Sequence, residues 1–273
     1  MYKIGFAGAG NLAETLIQGL LNSGAVQASE IQVTDVSEDR KELMKKKFGV
    51  TVQQSNRDLV QSQDIIFLTL KPQVIVSVLK EISEVATGRK IFITPAAGVS
   101  LAFVESFLPE SPVIRIMPNT SCLVLEGTIA ICPGARAKDG DIKLVSEVLG
   151  KLGRVIPVAE NMMDAVTALS GSGPAWIYTV IEALADGGVK VGLPKGLALT
   201  LAAQTVMGAA KMVLETHEHP AVLRDKVTSP GGTTIAGSHA LERGAARSAL
   251  MDAVVAAYNR AKELAPDLDG KGH

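Results

Sequence analysis

The chain has 273 residues, 47% of them apolar and 20% charged, which is enough to build one large domain or two moderate ones around a buried core. Its formal net charge of −1, without a long basic segment, argues against a surface for nucleic acid. Two cysteines without CxxC spacing and four histidines without an HExxH pattern argue against a disulfide framework and a metal site, and favour a cytoplasmic location.

The first 160 residues alternate between short apolar segments and helical segments. The chain opens with "MYKIGFAG", which is typical of a strand and lacks the basic and long apolar regions of a signal peptide. Seven β-branched apolar segments predict strands, at 3–8, 31–35, 64–70, 90–95, 112–117, 128–133 and 154–158. Strands that alternate with helices predict right-handed βαβ units and a Rossmann-type, doubly wound parallel sheet in an α/β domain.

Two early segments, 11–24 and 37–49, have the residue types of helices. Ser37 is suited to capping the start of the second, and Gly49 is suited to ending it. These boundary residues place helices between the first strands, as the alternating pattern requires.

The strand pattern disappears at about Asn161, where Ala, Leu, Val and Met recur at helical spacing. We therefore predict a dinucleotide-binding domain at 1–160 and an all-α substrate-binding and dimerisation domain at 161–273. Two of its helices are apolar on nearly every side, which predicts burial against a second copy of the chain in an obligate homodimer. A compact monomeric bundle is the alternative. No run approaches the roughly 18 apolar residues of a membrane span, so we expect no membrane attachment.

A glycine pattern follows the first predicted strand directly. Gly8, Gly10 and Ala13 form GxGxxA at the start of a helix. The first glycine permits a tight turn, the second lets the backbone approach a pyrophosphate, and the alanine keeps the helix close to the strand. Because strand, turn and helix occur in this order, the pattern predicts a dinucleotide site.

Asp35 ends the second predicted strand, 22 residues beyond Ala13. An acid at this position can accept hydrogen bonds from the adenosine ribose and repels a 2′-phosphate, which favours NADH over NADPH. The nearby Ser37 and Arg40 could cradle a phosphate instead, so NADPH is the alternative.

In the helical half, "TSPGGTTI" (228–235) interrupts the helical pattern. Its proline and glycines break a helix, and a helix begins again just beyond them. Glycine N–H groups, a helix N-terminus and hydroxyls from Ser229, Thr233 and Thr234 together predict a site for an anion such as a carboxylate. A hinge between helices is the alternative.

Several stretches together resemble pyrroline-5-carboxylate reductase, over residues 3 to about 262 and in the family's order. They are "IGFAGAGNLA", "LTLKPQ", "PAAGVS", "RIMPNT", "ALSGSGPAWIYTVIEALADGGVKVGLP" and "HPAVLRDKVTSPGGTTI". The resemblance implies reduction of the C=N bond of Δ1-pyrroline-5-carboxylate to L-proline by NADH or NADPH. It also implies dimers through the helical half, which in this family are often assembled further into decamers.

The resemblance assigns cofactor contacts to thirteen residues along the first half of the chain. These are Ala7, Gly8, Ala9, Gly10, Asn11 and Leu12 at the pyrophosphate, Asp35 and Asn56 at the adenosine ribose, and Leu70, Lys71, Pro72, Ala96 and Ala97 at the nicotinamide end. It places Glu160, Ser229, Gly231, Gly232, Thr233 and Thr234 near the substrate.

The resemblance makes Thr234 the catalytic candidate, touching the ring nitrogen as a hydrogen-bond donor or relay. A threonine hydroxyl is too weak an acid to give up its proton near neutral pH. Two site residues have plainer alternatives: Lys71 as a polar loop residue, and Glu160 as an acid that only favours a helix N-terminus. The competing functions are a reductase of another imine with the same two-domain build, a β-hydroxyacid dehydrogenase, whose catalytic lysine has no counterpart before Lys190, and a dinucleotide-sensing regulator.

Overall fold

The computed structural model describes residues 3–264 and divides the chain into two compact units. One unit contains the described residues up to Ser172 together with those from Ala257 onward, and the other contains Gly173–Ala256.

The first unit is built on one eight-stranded sheet with the order β3-β2-β1-β4-β5-β6-β7-β8. The strands are β1 (Ile4–Ala7), β2 (Ile31–Thr34), β3 (Thr51–Val52), β4 (Ile65–Leu68), β5 (Ile91–Thr94), β6 (Val113–Met117), β7 (Gly127–Pro133) and β8 (Gly153–Pro157). Its central strands are buried along their whole length, because helices cover both faces.

Seven α-helices of the described residues lie wholly within this unit. They are α1 (Asn11–Asn22), α2 (Glu38–Phe48), α3 (Asn56–Ser62), α4 (Pro72–Ile82), α5 (Leu101–Phe107), α6 (Asp139–Leu149) and α7 (Met163–Val166). Two apolar cores lie on the two faces of the sheet, and the stacked rings of Phe6 and Phe67, 4.7 Å apart, belong to one of them. The capping prediction for α2 is confirmed: the Ser37 hydroxyl accepts from the Arg40 N–H, and Gly49 ends the helix at φ +70°.

The Rossmann-type α/β prediction is confirmed, with two differences in the sheet. The two-residue strand β3 was not predicted, because two residues carry no apolar period. Strand β7 runs antiparallel to β6, although every other pair is parallel. A parallel return needs a crossover of a dozen or more residues, and only 118–126, with a single 3-10 turn at Thr120–Val124, connect these strands.

The second unit is helical. It contains α8 (Gly173–Lys190), α9 (Lys195–Thr216), α10 (Pro220–Lys226), α11 (Thr233–Arg243) and α12 (Ala246–Glu263), which continues into the first unit from Ala257. Its core is small and consists of Ala185, Ala198 and Ala202 where α8 and α9 pack. Gly188 permits this close packing, since a Cβ there would lie 3.1 Å from that of Ala198.

Helix α9 leaves much of its apolar surface exposed in the single chain. Leu197, Leu201 and Met207 are each about half exposed. Among residues 3–264, α9 is the one helix long and apolar enough to cross a membrane by length and composition, with a mean hydropathy of 1.5. The expectation that no segment would reach this size is therefore wrong for α9, because its alanines, leucines, valines and methionines give a high mean hydropathy although threonines, glycines and a glutamine interrupt the apolar run.

Candidate active site

The glycine turn lies at the carboxyl end of β1, between β2 and β4, where the strand order reverses. Open α/β sheets bind ligands at such a switch point. Gly8 adopts φ +96°, a conformation suited to glycine, and its N–H donates to the Thr34 carbonyl at 2.9 Å. The Thr69 hydroxyl donates to the Gly8 carbonyl at 2.7 Å, and a Cβ on Gly8 would overlap the Thr69 backbone oxygen. The turn therefore requires glycine at position 8.

The N-terminus of α1 faces the space beyond this turn. Gly10 is the N-cap, at φ −73°, and no side chain of residues 3–264 caps the first turn with a hydrogen bond. A Cβ added to Gly10 would meet no atom within 4 Å. Unpaired N–H groups, the positive end of the helix dipole and open space fit a pyrophosphate.

The carboxylate of Asp35 braces the same loop. Its Oδ2 accepts from the Ala9 N–H at 2.7 Å, and its Oδ1 accepts from the Ser37 N–H at 2.9 Å. Arg40 donates from Nε to the Ala9 carbonyl at 2.7 Å and pairs with Glu14 at 2.8 Å. Its Nε and Nη2 are therefore already engaged by protein acceptors.

The Glu14 carboxylate forms salt bridges with two basic side chains at this end of the sheet. Lys47 lies 2.9 Å from one carboxylate oxygen, and Arg40 lies 2.8 Å from the other. Hydrogen bonds from Lys47 and then Arg40 lower the pKa of Glu14 below its usual value of 4.5, against the opposing effect of burial.

Asn56 begins α3 beside the end of β2. The Thr34 hydroxyl donates to its Oδ1, while its Nδ2 and backbone N–H donate to Glu81 at 2.8 and 3.2 Å. The side-chain amide is therefore held in one orientation from both ends.

The residues expected at the nicotinamide end follow β4 and β5. Leu70 is half-buried, and Lys71 is the exposed, extended residue before α4, with Pro72 in the first helical position. Ala96 is 4% exposed and donates its N–H to the Thr94 hydroxyl at 3.4 Å, and Ala97 is half-buried. The strands β1 to β5 are all parallel, and the thirteen cofactor candidates lie at or beyond their carboxyl ends.

A partly buried ion pair is formed by Arg115, which pairs across the sheet with Thr94, two residues before Ala96. Arg115 on β6 is 5% exposed, and its Nη1 donates to Glu160 Oε1 at 3.1 Å. The same carboxylate oxygen accepts from the Leu101 N–H at the start of α5, at 2.6 Å. Glu160 opens a short 3-10 turn, but its carboxylate binds the first turn of another helix. In this structure the acid therefore joins β6, α5 and its own segment.

A cavity of about 500 Å³ is lined by Gly98, Ser100, Arg115, Glu160, Asn161 and Asp164. Asp164 lies 3.9 Å from Arg115 Nη2, and Arg115 Nε has no hydrogen-bond partner among the described residues. Cys132 pairs with Arg115 across β6 and β7, and burial followed by the Glu160 charge raises the pKa of its thiol. This side of the cavity combines one buried cation with two acids.

The segment "TSPGGTTI" connects α10 and α11 in the second unit. Gly231 adopts φ +68°, and the Gly232 N–H closes a turn on the Ser229 carbonyl at 3.1 Å. Gly232 is the N-cap of α11, and no side chain caps this helix within the described residues. Thr233 and Thr234 occupy its first turn, the former exposed and the latter half-buried. The loop thus has the free N–H groups and hydroxyls that an anion requires.

The structure groups the cofactor candidates in the first unit with Glu160, and it groups Ser229 to Thr234 in the second unit. Sequence reasoning did not single out Thr69, Glu81 or Arg115, which hold the candidates in position. One signal for Arg115 was available. It is the only charged residue in the apolar segment "PVIRIM", and a charge in a strand buried on both faces needs a partner.

Comparison with known proteins covers both halves of the chain. A family model described as pyrroline-5-carboxylate reductase dimerisation matches residues 160–264, and one described as NADP oxidoreductase, coenzyme F420-dependent, matches residues 3–98. The chain is 47% identical to a pyrroline-5-carboxylate reductase of Methanosarcina acetivorans, over 96% of this chain and 97% of that protein. It is 44% identical to that of Arabidopsis thaliana, over 96% and 95%.

A solved structure agrees with these relatives. The pyrroline carboxylate reductase of Plasmodium falciparum with NADP bound superimposes with a TM-score of 0.87 at 32% identity, over 97% of this chain and 98% of that one.

Proposed function

The chain belongs to the pyrroline-5-carboxylate reductase family, and we propose that it reduces Δ1-pyrroline-5-carboxylate to L-proline with NAD(P)H. It is an NAD(P)-dependent oxidoreductase that acts on a C=N bond in proline biosynthesis. The reaction consumes one hydride and one proton: the hydride goes to the imine carbon, the proton goes to the ring nitrogen, and NAD(P)⁺ is released.

The observation that carries the proposal is the glycine turn at the strand-order switch. Gly8 shapes it, and the uncapped start of α1 with open space at Gly10 suits a pyrophosphate. A bound nicotinamide dinucleotide would supply the hydride. The remaining task for the protein is to position the imine, exclude water and hold charge, which few side chains can do.

For the cofactor we propose a preference for NADH. The Asp35 carboxylate lies just beyond β2, and among the described residues its hydrogen-bond partners are the N–H groups of Ala9 and Ser37. Arg40, the candidate for binding a 2′-phosphate, is engaged by Glu14 and the Ala9 carbonyl. A 2′-phosphate would therefore meet an acid before it met a free cation. The solved relative from Plasmodium falciparum holds NADP, so this proposal needs its own test.

For the substrate we propose that the loop from Ser229 to Thr234 binds the carboxylate. Its glycines and the uncapped N-terminus of α11 supply N–H donors, and Thr234 donates to or relays a proton toward the ring nitrogen. Glu160 is a further candidate for contact with the substrate. Its Oε1 is taken by Leu101 and Arg115, which leaves Oε2 as its free acceptor in the described structure.

We propose that the protein is a homodimer through its helical half and that the dimers assemble further into a decamer. We also propose that the boundary between the two domains lies at 160/161. The dimerisation match begins at residue 160, and the exposed leucines and methionine of α9 provide an apolar surface for a second copy. We also propose a cytoplasmic enzyme with no membrane or nucleic-acid partner, supported by two free, buried cysteines and a net charge of −1.

The decisive assay measures oxidation of NADH and NADPH by the purified protein, with and without pyrroline-5-carboxylate. We expect substrate-dependent oxidation of both, with a higher kcat/KM for NADH. No turnover with either cofactor would overturn the proposed reaction. Turnover with a higher kcat/KM for NADPH would leave the reaction standing and overturn the preference assigned to Asp35.

A further inference from the structure

The last turn of α4 reaches the corner where β2 ends and α3 begins. Glu81 places both carboxylate oxygens against Asn56, accepting from the backbone N–H at 3.2 Å and from Nδ2 at 2.8 Å. On the opposite side of the amide, Oδ1 accepts from the Thr34 hydroxyl. Asn56 therefore presents one remaining N–H on Nδ2 and one remaining lone pair on Oδ1.

At this corner two acids bind uncharged donors, whereas the nearby basic side chains pair with other acids. Asp35 and Glu81 accept hydrogen bonds from uncharged donors, namely the N–H groups of Ala9 and Ser37 for the first and of Asn56 for the second. Among the described basic side chains, Arg40 and Lys47 share one acid, Glu14, while Arg57 pairs with Glu84 and also donates from Nη1 to the Glu81 backbone carbonyl at 3.4 Å. Neither the Asp35 nor the Glu81 carboxylate forms a salt bridge among the described residues, whereas Arg40, Lys47 and Arg57 each form one with another acid.

We propose that Glu81 is a positioning residue for the adenosine ribose and, with Asp35, excludes a 2′-phosphate. Glu81 orients the Asn56 amide for a ribose hydroxyl and adds a second negative charge beside that hydroxyl. A ribose diol can donate to such acceptors, whereas a phosphate carries up to two negative charges and only accepts. The proposal rests on the proposed dinucleotide site and extends it to a residue outside the glycine turn.

The test is direct binding of NADH and NADPH to the full chain, followed by the change in cofactor fluorescence without pyrroline-5-carboxylate. Glu81→Gln retains the size and an acceptor oxygen but removes the charge. We expect the ratio of the NADPH Kd to the NADH Kd to fall roughly tenfold, the effect of one unit charge near a phosphate at a partly exposed site. Glu42→Gln removes one exposed carboxylate from α2 and should leave the ratio within about twofold.

The positioning role has a separate readout. Glu81→Gln should weaken NADH binding much less in an Asn56→Ala background than in the wild-type background, because the two residues act as a unit. In turnover, the change should appear in the KM for the cofactor, with kcat retained. Thermal unfolding of each variant identifies those that are merely destabilised.

An unchanged Kd ratio in a folded Glu81→Gln protein would overturn the proposal, and so would an equal shift in Glu42→Gln. Failure of the proposed reaction looks different: it would show as cofactor binding without oxidation by pyrroline-5-carboxylate.

Discussion

Arg115 and Glu160 are 45 residues apart in the chain and form an ion pair of 3.1 Å beside the loop that contains Ala96 and Ala97. The same Glu160 oxygen holds the first N–H of α5, at Leu101. The pair therefore joins β6, the helix α5 that follows the loop with Ala96 and Ala97, and the segment that begins the dimerisation match.

Glu160→Ala should destabilise the protein by about 2–4 kcal/mol, because it leaves the Arg115 guanidinium buried with only Asp164 at 3.9 Å. Glu160→Gln keeps an acceptor and should destabilise it less. Urea unfolding measures both. Adding Arg115→Met to Glu160→Ala removes the unpaired buried charge and should recover part of the lost free energy of unfolding. Strictly additive effects would contradict a coupled pair.

Gly10→Ala should separate cofactor binding from folding. Its φ of −73° suits alanine, and a Cβ would meet no protein atom within 4 Å, so the unfolding temperature should stay within about 2 °C of wild type. NADH binding should weaken roughly tenfold or more, because the methyl group occupies the approach to the pyrophosphate. Fluorescence titration with NADH checks this.

Gly8→Ala is the matched variant and should behave differently. At φ +96°, and against the Thr69 carbonyl, the added methyl group should lower stability by about 2 kcal/mol or more. Wild-type NADH affinity in Gly10→Ala would contradict the predicted pyrophosphate position.

Thr234→Ala should lower kcat roughly ten- to hundredfold while leaving NADH affinity unchanged, because the hydroxyl is proposed to act only on the substrate nitrogen. Thr234→Ser retains a hydroxyl and should keep most of the activity. Steady-state kinetics with NADH titration measures the two effects. Turnover of Thr234→Ala at the wild-type rate would leave Thr234 without a chemical role.

The contacts of Glu14 with Lys47 and Arg40 predict a contribution to the free energy of unfolding that depends on pH. Hydrogen bonds from Lys47 and Arg40 hold its folded-state pKa below the unfolded value of 4.5, so the ionised acid stabilises the fold above that pH. The contribution disappears as the pH falls through the folded-state pKa. Glu14→Gln should therefore lower the free energy of unfolding by about 0.5–1 kcal/mol at pH 7, and by progressively less below pH 4.5. A loss that was independent of pH would contradict this origin.

The early βαβ units could be predicted because each signal is local. The buried strand "KIGFAG", the Ser37 cap and the Gly49 stop act over a few residues, so their positions follow from residue type alone. The direction of β7 was not predictable in this way. It depends on whether 118–126 can make a crossover, which an apolar strand pattern does not report.

The site shows the same division between local and distant signals. The GxGxxA turn predicted its own position, because glycine geometry and a following helix are local features. The contacts that hold it are distant in sequence: Asp35 reaches Ala9 across 26 residues, and Glu81 reaches Asn56 across 25. Residue type alone cannot pair them, since many acids in the chain have similar neighbours.

The amino-acid sequence by itself determined the two kinds of architecture, the glycine turn and the family, because apolar period, glycine conformation and long motifs are written in consecutive residues. Only the tertiary structure decided which side chain each of these acids contacts. Arg40 is taken by Glu14, Arg115 is taken by Glu160, and Glu81 holds Asn56. Such pairs form when parallel strands bring segments that are distant in the chain close together at the ends of the strands. Residue type alone does not report them, because charges interact across space rather than along the sequence.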